Sequence, residues 1–239
     1  MKKMIFIALV VVALTAGARA DLLSYWTFDE GSGTIAHDSA SSNNGTLVNG
    51  PAWTTGKIGG ALSFDGINDY VALSSFTVST NNGTIALWFK TSGDFSGNYG
   101  HQGYLISRDS QVWSYLTLEG GGSHAYRIAG ETNTQDDYFV ATDATFVGGW
   151  NNIAVSFHNK TATTYLNGEF LQSMSVNKPS LTLDRIGGGL DTFYNGKIDD
   201  VRIYDRALSQ NEVRALLPEP ATLFLLGLGG LALLRKRRA

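Results

Sequence analysis

Gly196-Lys197-Ile198-Asp199-Asp200-Val201-Arg202-Ile203-Tyr204-Asp205-Arg206 decides how the chain is read. Val201 and Ile203 share one parity and Arg202 and Tyr204 the other, the pattern of a strand with one apolar face. Ile198 breaks that parity. A one-residue slip at Asp199-Asp200, a β-bulge, returns Ile198 to the apolar face and re-aims one carboxylate out of the ladder. Just beyond, Ser209-Gln210-Asn211-Glu212 has the form of a capping box, in which hydroxyl and carboxylate satisfy each other's backbone amides. Val213, Leu216 and Leu217 then form one apolar stripe on a short helix that Pro218 ends. This strand is therefore the last one, and the folded unit closes near residue 217.

Upstream, short β-patterned runs separated by turn signals fill the chain. Trp26 and Phe28 share a face in Ser24–Phe28, Ile85, Leu87 and Phe89 in Thr84–Lys90, and Ile153, Val155 and Phe157 in Trp150–Phe157. Asp65-Gly66-Ile67-Asn68-Asp69 is a tight, carboxylate-rich turn before Tyr70-Val71-Ala72-Leu73. Asn82-Gly83 reads as a turn, and Trp53 to Gly60 as a connector. Asn167-Gly168 between Thr163–Leu166 and Glu169–Leu171 specifies a type I′ hairpin, because both central residues need positive φ. About a dozen strands with one terminal helix make an all-β fold, an antiparallel sandwich or jelly roll.

The chain has 239 residues and no cysteine. Between Asp21 and Leu217 there are 11 Lys and Arg against 20 Asp and Glu, a net charge of −9. Such an acidic domain lacks the basic footprint of nucleic-acid binding, and no nucleic-acid partner is expected. Both ends read as addresses. Met1-Lys2-Lys3, the apolar run Met4–Leu14 and Ala18-Arg19-Ala20 form a signal peptide over 1–20, cleaved by signal peptidase after Ala20. At the other end, Pro218-Glu219-Pro220 precedes the uncharged run Ala221–Leu234 and Arg235-Lys236-Arg237-Arg238. Fourteen apolar residues fall short of the ~20 that span a bilayer, and the basic cluster would stay cytoplasmic. The domain proper is then 21–217 and the tail 218–239.

That triplet, short apolar segment and Arg-rich end closely resemble the PEP-CTERM signal of Gram-negative bacteria. The resemblance implies recognition at Pro218, Glu219 and Pro220 by an exosortase, transient membrane anchoring through 221–234, and release to the cell surface or matrix. The domain has its own resemblance. Tyr25–Gly33, Asp38-Ser39-Ala40, Asn43-Asn44-Gly45, Gly56–Gly66, Asp69-Tyr70-Val71, Thr84–Trp88, Trp150–Ala154, Tyr165–Gly168 and Gly196–Ser209, in this order, are similar to a laminin-G-like domain of the concanavalin A-like lectin/glucanase superfamily. That implies two curved antiparallel sheets and a non-catalytic surface module that binds glycans or proteins, often with calcium.

Hydrolysis of a glycosidic bond needs two suitably spaced carboxylates. The six glutamates, Glu30, Glu119, Glu131, Glu169, Glu212 and Glu219, show no alternate-residue acidic spacing, and the four histidines are scattered. No catalytic residue is expected. Asp29, Asp65, Asn68, Asp69, Asp199 and Asp200 are hard oxygen ligands suited to Ca²⁺, and Asp29, Asp65, Asn68, Asp69 and Asp200 are the expected ligands of a structural ion joining the first and last strands; as turn and strand residues they need no metal. Tyr99, His101, Tyr104, Trp113, Tyr115, Tyr126 and Tyr138 gather near Gly-rich loops, where rings stack on sugars or belong to the core; Tyr99, His101 and Trp113 are the expected ligand contacts. The expected function is an exported module that binds polysaccharide or a surface protein. A glycan hydrolase of the same superfamily and a purely structural matrix protein are the alternatives.

Overall fold

The computed structural model describes residues 22–92, 100–108, 115–121, 125–130, 138–141, 149–176, 179–189 and 192–218. Two eight-stranded antiparallel sheets face each other. The first runs β14 (Glu169–Ser175), β13 (Thr161–Leu166), β12 (Asn151–His158), β7 (Asn82–Thr91), β16 (Asn195–Tyr204), β5 (Gly60–Asp65) and β4 (Ala52–Thr55), with β1 (Leu22–Trp26) also on β16. The second runs β11 (Tyr138–Ala141), β10 (Ala125–Gly130), β9 (Tyr115–Gly121), β8 (Gly100–Ser107), β15 (Ser180–Ile186), β6 (Tyr70–Ser79), β3 (Gly45–Val48) and β2 (Ile35–Ala36).

The core lies between the sheets. Leu62, Phe64, Ile85, Leu87, Phe89, Ile153, Val155, Ile198, Val201 and Ile203 come from one side, and Val71, Val78, Leu105, Ile106, Leu181, Leu183 and Ile186 from the other. Burial of each large side chain stabilises the fold by ~1.5–3 kcal/mol relative to exposure. Ile198, Val201 and Ile203 are all fully buried, so the parity break in the last strand is absorbed as expected. Asp199 pairs with Trp88 and Arg202 with Ala86, which leaves Asp200 and Val201 opposite Leu87 alone. Asp200 takes φ 55° to make this bulge.

The bulge has a topological cause. β16 pairs with β5 as far as Ile198 and with β1 from Val201 onward. One edge of the strand is thus shared by two partners, and the bulge falls where they change over.

The outer face of the first sheet is covered too. Ala86 and Ala154 are small enough for helix α1 (Gln210–Ala215) to approach, and Tyr165, Tyr204, Leu208 and Val213 close a second apolar cluster. Hydroxyls tie the crossing segment down: Thr84 Oγ1 donates to the Arg206 carbonyl at 2.8 Å, and Ser156 Oγ to that of Leu208 at 2.9 Å. The capping box forms as read, with the Ser209 amide donating to Glu212 Oε2 at 2.8 Å.

Two local readings change. Trp53–Gly60 is not only a connector, because Ala52–Thr55 pairs with β5. Asn82-Gly83 is strand rather than turn, pairing with His158 and Phe157. Asn167 and Gly168 do turn the chain, at φ 51° and 80°. No helix among the described residues is long and apolar enough to cross a membrane.

Candidate functional site

Val71 and Ile186 point into the core, so their neighbours Tyr70 and Arg185 face outward on the second sheet. The register sets Arg185 opposite Ala72, two residues from Tyr70, and the guanidinium carbon stacks 4.2 Å from the Tyr70 ring centroid. Phe193 arrives from the loop after β15, held by a bridge to Gly188, and its ring lies 6.4 Å from that of Tyr70 at 34°. The run Gly187–Gly189 makes this packing possible. A Cβ on Gly188 would sit 2.9 Å from Phe193 Cδ1, and one on Gly189 would enter the Tyr104 ring. The Ser107 hydroxyl donates to the Gly188 carbonyl, and the Gly187 amide to that of Leu105 at 3.0 Å, so the loop is fixed to β8.

Tyr70, Tyr104, Arg185 and Phe193 are each half-buried. They form a pre-set ledge of three rings and one cation. Beside the ledge stands the Asp65–Asp69 turn, with Ile67 72% exposed at its apex. Asn49 Nδ2 donates to the Asn68 carbonyl at 2.8 Å and anchors it.

The expected contacts Tyr99 and Trp113 lie outside the described residues. His101 belongs to β8, its backbone opposite Glu119, and its side chain is likewise outside them. Tyr104 is on the ledge. Tyr70, Arg185 and Phe193 were missed; the signals were Tyr70's parity against Val71 and three consecutive glycines after Ile186.

The expected calcium ligands fall into three places. Asp65 Oδ1 accepts the Ile67 amide at 2.8 Å, and Asp69 Oδ2 that of Asp65 at 3.1 Å, so this group holds its own turn together. Burial, with the neighbouring Asp65, raises the Asp69 carboxyl above its usual range. Asp200 pairs with Arg202 at 2.8 Å and accepts from the Tyr25 hydroxyl. Burial and that carboxylate push the Tyr25 phenol up to about 12. Asp29 Oδ1 accepts the Gly60 amide at 2.5 Å. Gly60 and Asp65 end the same six-residue strand, so the first and third groups stand about 17 Å apart.

Asp29 instead approaches Asp199. Asp199 Oδ2 accepts the Lys57 and Ile58 amides at 2.8 and 2.9 Å, while buried Oδ1 has no protein partner. Burial, outweighing those two amides, and the charges of Asp200 and Asp29 push its carboxyl up to about 7. Calcium takes six to eight oxygens. The five expected residues do not converge on one such shell, and among the described residues no three acidic or histidine side chains do.

Comparison with known proteins agrees with this architecture. The family model of the concanavalin A-like lectin/glucanases superfamily matches residues 65–214, and that of the PEP-CTERM protein-sorting motif residues 217–238. No curated protein matches. Among solved structures, domain 4 of AbnA, a GH43 extracellular arabinanase from Geobacillus stearothermophilus in complex with arabinotriose, is 21% identical, with TM-score 0.58, over 83% of this chain and 98% of that one. The binding domain of Paraclostridial Mosquitocidal Protein 1 is 14% identical with TM-score 0.62, and Trypanosoma rangeli sialidase 12% identical with TM-score 0.62. Each match covers 83% of this chain, but only 52% and 32% of those two proteins. At such identities the likeness is one of fold. The chain belongs to the concanavalin A-like lectin/glucanases superfamily and carries a PEP-CTERM sorting motif at its end.

Proposed function

We propose that the protein is a non-catalytic carbohydrate-binding module, exported across the inner membrane of a Gram-negative bacterium and left at the cell surface or in the matrix after an exosortase has processed its tail. The observation that carries this is the ledge of Tyr70, Phe193, Tyr104 and Arg185. Half-buried rings in fixed orientation offer apolar faces to the C–H faces of a sugar without losing side-chain freedom on binding, and a guanidinium offers donors to its hydroxyls. The three glutamates with described side chains have structural duties, which supports a role without hydrolysis. Glu30 accepts the His37 amide, Glu169 pairs with Arg214, and Glu212 caps the helix.

The test is titration of the 21–217 domain with the producing cell's exopolysaccharide and with arabino-oligosaccharides. Tyr70→Ala and Phe193→Ala should each weaken binding about tenfold, ~1.4 kcal/mol, with melting unchanged within a few degrees. Steady release of reducing sugar would point to a hydrolase instead.

Calcium keeps one place in this reading, the Asp29–Asp199 pair, where a cation would meet the unpartnered Oδ1 and offset two neighbouring carboxylates. A melting temperature higher in millimolar Ca²⁺ than in EDTA supports it; identical melting removes it.

A further inference from the structure

Phe170 is 57% exposed on β14, the edge strand of the first sheet. It stands opposite Tyr165, so it faces the same side as helix α1. Gly168, two residues earlier, is where the chain leaves the domain: a Cβ there would sit 3.0 Å from Leu217 Cδ1 and 2.9 Å from Arg214 Cγ. Leu216 and Leu217 are only half-buried. Beside Phe170, Arg214 Nη2 reaches both oxygens of Glu169, at 3.0 and 2.8 Å. The corner thus presents one exposed aromatic, two half-exposed leucines and an internally neutralised ion pair, on a domain whose net charge is otherwise −9.

The length of the tail says what covers this corner. Only Pro218, Glu219 and Pro220 separate Leu217 from the apolar run at Ala221. Three residues reach at most ~10 Å. A helix of 14 residues, the length of this run, would rise ~21 Å, against a hydrocarbon core of about 30 Å. With Arg235–Arg238 held at the cytoplasmic interface, a run this short draws its other flank toward the lipid.

We infer that, in the anchored precursor, the corner of Phe170, Leu216, Leu217 and the Arg214–Glu169 pair rests on the outer leaflet of the inner membrane, with Phe170 seated among the headgroups. This rests on the proposed anchoring through 221–234. It adds a defined membrane-facing surface and so fixes how the domain is presented to the processing enzyme. It also turns the sugar-binding ledge, which lies on the other sheet, away from the bilayer.

The absence of cysteine makes a direct test possible. Residues 21–239 are placed in phosphatidylethanolamine–phosphatidylglycerol vesicles with a spin label at a single introduced cysteine: Phe170→Cys, Ile67→Cys or Leu226→Cys. Ile67 is the stringent control, more exposed than Phe170 at 72% and five strand spacings away, about 24 Å. The expected result is collision with a water-soluble nickel complex several-fold lower at 170 than at 67, and lowest at 226. Equal accessibility at 170 and 67 with 226 protected overturns the inference alone. A water-exposed label at 226 removes the anchoring reading and the inference with it.

Discussion

Asp199 shows how a residue's duties follow from a break in the sheet. Near the changeover from β5 to β1, the Asp199 carboxylate accepts the amides of Lys57 and Ile58 in the loop before β5, and that of Asp29 accepts the amide of Gly60 at the start of β5. The cost is a buried Asp199 carboxylate with a second, exposed carboxylate, Asp29, nearby. The folded state therefore holds the Asp199 proton more tightly than the unfolded chain, whose carboxyl keeps the ordinary 3.8 against about 7. Stability from this group is complete below about pH 4 and is lost as pH rises through about 7. In EDTA, melting should drop by a few degrees between about pH 5 and pH 8, on the order of 1–2 kcal/mol once solvent screening is allowed for. Asp69 is raised also, by burial and the neighbouring Asp65, so its contribution has the same sign. Asp38 is held low, its Ser41 and backbone hydrogen bonds outweighing burial, so it stays ionised in this window. Asp199→Asn keeps an acceptor for the two amides, and it should flatten most of the slope and abolish any gain from calcium. An unchanged slope would mean that Asp199 is ionised in the folded state at pH 5. The doublet's bulge was legible from the parity of Ile198, Val201 and Ile203. That its two carboxylates part company, one to Arg202 and one to loop amides, was not, because the Tyr25 hydroxyl and the Lys57 and Ile58 amides that complete the two sites lie on another strand and a distant loop.

Among the elements, those with local causes were legible. The capping box and the Asn167-Gly168 turn are set by side chains a few residues apart, and both form as read. β4 and the start of β7 were misread because neighbouring strands, not local pattern, make them strands: Trp53 pairs with Leu62, and Asn82 with His158. The 167–168 turn also carries tertiary weight, since Gly168 lies under Arg214 and Leu217. Gly168→Ala meets both the left-handed φ and that crowding, and should destabilise by ~1–2 kcal/mol, or roughly 2–8 °C in Tm. Most of the loss should show as earlier hydrogen exchange in α1. Uniform loosening across both sheets instead would deny the helix its footing on this turn.

The whole molecule is a two-sheet domain followed by a PEP-CTERM sorting motif, and its proposed roles divide between the sheets. The outer face of the first is closed by α1 and leads into the tail; that of the second carries the aromatic ledge. The ledge was hidden in the sequence because Tyr70, Arg185 and Phe193 come from distant segments and meet only through the β6–β15 register and the glycine run. Intact-mass analysis of extracellular material from the natural host should find a C-terminus near Pro218–Pro220; an Arg-rich end there would contradict processing. The most direct test of the central claim is calorimetric titration of the 21–217 domain with the host's exopolysaccharide, beside Tyr70→Ala and Phe193→Ala. The account predicts saturable binding that weakens about tenfold in each variant while melting is preserved. Binding that both variants retain at full strength, or no binding by the parent domain, would contradict it.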